Sequence, residues 1–216
     1  MITPLALALS LTAASPAPTT PPLLLQQDTE TASQGLDLPF TYVEVGLATL
    51  SGYQVDTSSA DIDLISVAAS YEFGTGVHGF VGGTTGTSFD TDPGITDTSA
   101  STWFAGVGLH EPLAEDLVGF ARLSLVGTDV DATAIGTEYT LSETNLVYSA
   151  GVRYLAKDRL ELSAIGLLAA DSGARLNIEA SALYRVQPDI AIGLVATLPG
   201  RDEDGDSLGL GLRWYF

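Results

Sequence analysis

From position 40 onward the chain alternates apolar residues with polar or small ones at a period of two. Phe40–Tyr53 sets Val43, Val45 and Leu47 on one face against Tyr42, Glu44, Gly46 and Ala48 on the other. Ile62–Gly74 sets Ile65, Val67, Ala69, Tyr71 and Phe73 against Ser66, Ala68, Ser70 and Glu72. The same division runs through Asn145–Tyr154, Leu176–Val186 and Ser207–Phe216. Successive side chains of a strand point to opposite sides, so this spacing predicts strands with one apolar face; no stretch carries a helical period. Val77–Asp90, Thr102–His110, Leu117–Thr128, Leu160–Ala170 and Ile190–Leu198 complete the set less regularly, giving about ten strands of about 9–11 residues.

The connections alternate too. Short links are expected at Gly74–Gly76, Glu111–Asp116, Lys157–Arg159 and Gln187–Asp189. Generally longer polar ones fall at Gln54–Asp61, Thr91–Ala100, Asp129–Glu143, Asp171–Ala174 and Pro199–Asp206. A soluble sandwich has no reason to alternate short and long links, whereas a membrane barrel has short turns on one side and long loops on the other. The expectation is an all-β, closed, antiparallel up-and-down transmembrane β-barrel of about ten strands, with eight as the second choice. The apolar rows then face lipid. A soluble barrel with those rows inward is the alternative, but the opposite face is built of Gly, Ala and Ser, and the chain's only Lys is Lys157 in a turn.

Composition sharpens this picture. Eight Lys and Arg stand against 27 Asp and Glu, a formal net charge of −19, in a chain that is 45% hydrophobic. A disordered acidic segment lacks that apolar content. No basic patch exists to neutralise phosphates, so no nucleic-acid partner is expected. With no Cys, disulfides, thiolate metal sites and cysteine nucleophiles are excluded. Upstream of the alternation, Leu5–Ala14 is a short apolar run followed by small residues, so residues 1–15 read as a signal-peptide-like segment although no Lys or Arg precedes the run. Residues 16–39, rich in Pro and Thr, read as a disordered linker, and residues 40–216 as the barrel.

The strand Tyr42–Gly46, the Gly151–Tyr154 pattern Gly-Val-Arg-Tyr, and the closing Gly209–Phe216 run give the barrel segment a resemblance to small bacterial outer-membrane β-barrels of the OmpA/OmpX type. The family's usual eight strands fit less well than ten. The resemblance implies an outer-membrane location with lipid and lipopolysaccharide as surroundings. It also implies that the last strand, through Trp214 and Phe216, is the signal read by the barrel-assembly machinery.

If the small and polar face is luminal, the lumen encloses Glu44, Glu72, Glu161 and Glu179 together with Arg122, Arg153, Arg185 and Arg213. Burying either sign alone costs several kcal/mol per ion, so a packed network of pairs is expected, with Glu44 beside Arg213 across the closing seam and Glu161 beside Arg185. Small barrels are filled by side chains, so no open pore is expected. His78 and His110 fall opposite one another near Glu72 and are weak candidates for a metal or an acid–base pair, against a reading as rim residues. Asp202, Asp204 and Asp206 space carboxylates as part of a calcium loop does, without its distal Glu, against a reading as a solvated hairpin tip. Divalent cations shared between the outer acidic loops and lipopolysaccharide are a further possible partner. No nucleophile elbow is present and no cofactor is expected, so the chain is not read as an enzyme. The function expected is structural or surface-interactive, through the acidic outer loops; a small-solute channel is the alternative, and an outer-membrane enzyme a more distant one.

Overall fold

The computed structural model describes residues 38–55, 58–91, 95–134, 137–157, 159–170, 176–198 and 206–216. Its strands are β1 (Tyr42–Val55), β2 (Ser58–Gly74), β3 (Val77–Thr91), β4 (Ile95–Ala114), β5 (Leu117–Ala134), β6 (Thr137–Ala156), β7 (Leu160–Ala169), β8 (Leu176–Gln187), β9 (Ile190–Leu198) and β10 (Asp206–Tyr215). Each strand pairs antiparallel with its chain neighbours, and β1 closes on β10. The ten-stranded closed barrel expected from the alternation is the fold observed. Closure leaves no unpaired edge in the spanning zone, the condition a sheet must meet in hydrocarbon.

The faces divide as the alternation requires. Val45, Leu47, Ile65, Val67, Leu194, Leu210 and Leu212 point away from the lumen and are exposed, while Gly211, Arg213 and Tyr215 between and beyond them are buried. Tyr71, Phe73, Trp214 and Phe216 extend the apolar belt to the end where the chain turns tightly, and Phe216 is 69% exposed. A continuous apolar surface of this kind far exceeds the few hundred Å² a soluble monomer shows. The belt is a lipid-facing surface, with aromatic side chains at its rim.

Connections at this end are short: two residues at Thr75–Gly76, Glu115–Asp116 and Pro188–Asp189, and three between β6 and β7. At the other end the strands run further than the sequence suggests. Much of Gln54–Asp61, Thr91–Ala100 and Asp129–Glu143, expected as loops, is paired strand. β4, β5 and β6 reach 20, 18 and 20 residues, against 10 for β7 and 9 for β9. Pairing of β5 with β6 continues to Ala134 opposite Thr137, whereas β6 meets β7 only from Val147 onward. Residues 137–146 of β6 therefore stand on a hairpin of about 30 Å that overtops the shorter strands. Thr and Val recur along it, and such β-branched residues favour the pleated backbone; Val130 and Ala132 are buried on its inner face while Asp129 and Asp131 are exposed.

The signal-like segment and the linker up to residue 37 lie outside the described residues, as do Asp202 and Asp204. The linker's last two residues, Leu38 and Pro39, are not free of the barrel: Leu38 is buried, and the Pro39 carbonyl accepts a hydrogen bond from Arg153 Nη1 at 3.1 Å.

Candidate functional site

The buried charged and histidine side chains gather at the turn end, where they form a floor across the lumen. Two clusters compose it. The first is centred on Glu161 of β7, whose side chain has no solvent exposure. Arg153 of β6 donates from Nε to Glu161 Oε1 at 3.0 Å, and Arg213 of β10 donates from Nη1 to the same oxygen at 2.6 Å. The Tyr215 hydroxyl donates to Glu161 Oε2 at 2.7 Å, and Arg185 Nη2 lies 3.9 Å from that oxygen. Arg213 also donates from Nε to Glu44 Oε2 at 2.6 Å. Beneath these charges, Tyr42, Leu183, Ala191 and Tyr215 make a small apolar cluster. The Arg213 guanidinium lies 4.4 Å above the Tyr42 ring and the Arg185 guanidinium 4.9 Å above Tyr215.

The second cluster lies against β2–β6. Glu72 of β2 and His78 of β3 are cross-strand partners, so the Thr75–Gly76 turn carries both to one place. His78 pairs across β4 with Gly108, not with His110, a register two residues away from the expected one. A shift of two keeps a side chain on its face. Both imidazoles therefore remain luminal and meet diagonally, Nδ1 to Nδ1 at 3.3 Å. Arg122 Nε donates to His78 Nε2 at 3.1 Å, and His110 Nε2 lies 3.5 Å from Glu72 Oε1. A side chain at Gly108 would run into the His78 ring, and one at Gly76 into the His110 carbonyl, so these two glycines make the room the histidines use. Gly76 also holds a φ of 75°, which an L side chain rarely adopts.

Phe40 closes the second cluster from below. Its ring stacks on His110 at 3.8 Å between centroids, tilts against His78 at 4.6 Å and meets the edge of Phe120 at 6.0 Å. Arg153 covers its other side at 4.8 Å while also reaching Glu161, so one arginine joins the two clusters. Phe40 is 1% exposed.

The luminal charges inferred from sequence thus separate unevenly. Glu44, Glu161, Arg153, Arg185 and Arg213 form one network, in which a single carboxylate serves three arginines instead of standing in simple pairs. Glu72 and Arg122 are joined through the two histidines. Glu179 sits higher on β8, opposite Thr197, and among the described residues no ion pair reaches it. Phe40 reads in the sequence as the first residue of the alternating strand, and its floor role is signalled only by an aromatic after Pro39, directly ahead of that alternation. No group of three or more His, Asp or Glu able to hold a metal occurs among the described residues. His78 Nε2 is already used by Arg122, which takes the histidine pair out of metal-ligand geometry. Asp206 is an exposed residue at the start of β10. Trp214 and Phe216 stack on one another at 5.4 Å on the lipid face of the last strand.

No family model matches the sequence, and no curated protein matches it. Solved structures do resemble the fold. The NanC porin aligns with a TM-score of 0.50 at 10% identity, covering 81% of this chain and 100% of the porin. Neisserial surface protein A aligns at 0.45 with 14% identity, covering 82% of this chain and 98% of that one. Ail, the attachment invasion locus protein of Yersinia pestis, aligns at 0.41 with 16% identity, covering 81% and 97%. At 10% identity the porin shares the fold alone, a closed antiparallel β-barrel, and the apolar belt makes this barrel a membrane-spanning one.

Proposed function

We propose that the chain is an outer-membrane barrel closed to solutes, whose role is structural or surface-interactive and is not enzymatic. The observation that carries this reading is the floor: Glu161 with its three arginines fills one half of the mouth, and Phe40 with the His78–His110 pair fills the other. A carboxylate with no solvent exposure, held by charge-assisted hydrogen bonds from several strands, supports a lumen filled with side chains at that level. The overtopping β5–β6 hairpin supports the surface role. Its exposed Asp129, Asp131, Glu138 and Glu143 stand at the end opposite the tight turns, which is the outer side in this orientation. In this reading those carboxylates share divalent cations with lipopolysaccharide phosphates, and the Trp214–Phe216 strand engages the assembly machinery.

Purified barrel reconstituted into planar bilayers tests the closed lumen. No discrete conductance steps are expected at neutral pH. Regular steps carried by the folded protein would establish the small-solute channel in its place.

A further inference from the structure

The chain Arg122–His78–His110–Glu72 runs in one direction. Arginine can only donate, so His78 Nε2 accepts from it and the His78 proton resides on Nδ1. His78 then donates to His110 Nδ1, and the His110 proton resides on Nε2, facing the Glu72 carboxylate. Both rings are neutral, and every ring nitrogen is committed. An additional proton has no vacant place. On His78 Nε2 it confronts the Arg122 N–H at 3.1 Å; on His110 Nδ1 it confronts the His78 N–H at 3.3 Å.

We propose that the His78–His110 pair is an acid-sensitive latch: in its neutral state it holds Leu38–Pro39–Phe40 as a stopper in the mouth of the lumen, and a proton taken up by the pair releases that segment. The groups around the pair determine the direction. Glu72 faces it from β2, Arg122 from β5 and Arg153 from β6, while Phe40 packs on it from the N-terminal side. Protonation therefore places a third cation beside two arginines with one carboxylate among them, in a site where His78 has no exposure. Attraction of an imidazolium to the Phe40 ring opposes release, but Arg153 already occupies that ring's electrostatic field, and separating the rings is the stronger relief. Protons reach the pair through Glu72, whose side chain is 35% exposed. The release has a natural pivot at Thr41. Its hydroxyl accepts from the Glu72 amide at 3.0 Å and its carbonyl from the Phe216 amide at 3.3 Å, so the segment ahead of it can leave while β1 stays paired.

The latch rests on the closed floor proposed above, yet the two fail separately. Conductance of the parent barrel at neutral pH removes the closed floor, whereas fluorescence quenching reads the latch alone. The test uses Phe40→Trp, and independently Leu38→Trp, in a background where the chain's two tryptophans are replaced (Trp103→Phe, Trp214→Phe). Acrylamide quenching is followed on the folded barrel in detergent, with heat-modifiable gel migration confirming the fold at each pH, from about pH 8 to about pH 2.5, because the N–H donors crowding the pair hold off the added proton below the ordinary histidine range. The expected result is a reporter shielded at the upper end that becomes severalfold more quenchable on acidification, with the change abolished in His78→Gln/His110→Gln. Quenching that ignores pH at both reporter positions would overturn the proposal. A pH response that survives the double histidine replacement would overturn it equally.

Discussion

Arg213 and Glu161 meet at 2.6 Å although their strands, β10 and β7, are not neighbours in the sheet. The contact spans the lumen. Its partner at the seam, Glu44, faces Arg213 directly in the β1–β10 register, so one guanidinium ties together the two strands that close the barrel and a third lying across from them.

Glu161 is accordingly the most costly luminal residue to alter. Glu161→Gln keeps the shape and leaves Arg153, Arg185 and Arg213 without their shared anion. Removing one member of a buried ionic cluster costs about 3–5 kcal/mol. Urea unfolding in detergent, followed by the gel-migration shift, should show a loss of that size. Glu44→Gln should cost clearly less, since Glu44 is 21% exposed and neutralises only Arg213.

Exchanging the seam charges gives a sharper test. In an isolated pair, Glu44→Arg combined with Arg213→Glu would restore stability. Here the exchange puts a carboxylate at 213 against Glu161, so the double variant should stay close to the worse single one. Full rescue in the unfolding assay would mean that the pair is independent of Glu161.

The belt predicts the opposite behaviour for an exposed residue. Leu194, halfway along β9, is 53% exposed. On a soluble surface Leu194→Arg would change stability by less than about 0.5 kcal/mol. At the middle of a bilayer it should cost about 2–4 kcal/mol. Reversible unfolding from lipid vesicles distinguishes the two.

Gly76→Ala should destabilise by roughly 1–2 kcal/mol, the cost of a side chain in left-handed backbone, and more because the new methyl presses on the His110 carbonyl. The His110 imidazole resonances should shift with it. An unchanged histidine spectrum would show that the turn does not position the pair.

The sequence and the structure agree best where the two faces of a strand differ most. In β1, β2 and β10 lipid selects one face and a narrow lumen the other, so the period of two exposes the barrel and its strand number directly. Counting residues around tight hairpins and across the closing seam was enough to bring Glu44 to Arg213. Toward the outer end of β5 the contrast inverts, with Val130 and Ala132 turned inward and buried while Asp129 and Asp131 face out, and this acid-rich paired strand reads as loop. Contacts across the lumen obey neither periodicity nor hairpin counting. The reach of Arg213 from β10 to Glu161 on β7, and the folding back of Phe40 onto His110, depend on how far side chains extend over the floor, which no one-dimensional pattern records.

The brace through Arg213 also discriminates between ways of zipping the last strand. A slip of two residues moves β10 by about 7 Å yet returns every leucine to lipid and every glycine to the lumen. The belt is blind to that error. Such a slip carries Arg213 away from both Glu44 and Glu161 and strands a buried carboxylate, so completing the cylinder and balancing its interior charge are a single event. The bilayer sorts inside from outside, and the brace sorts one register from the next.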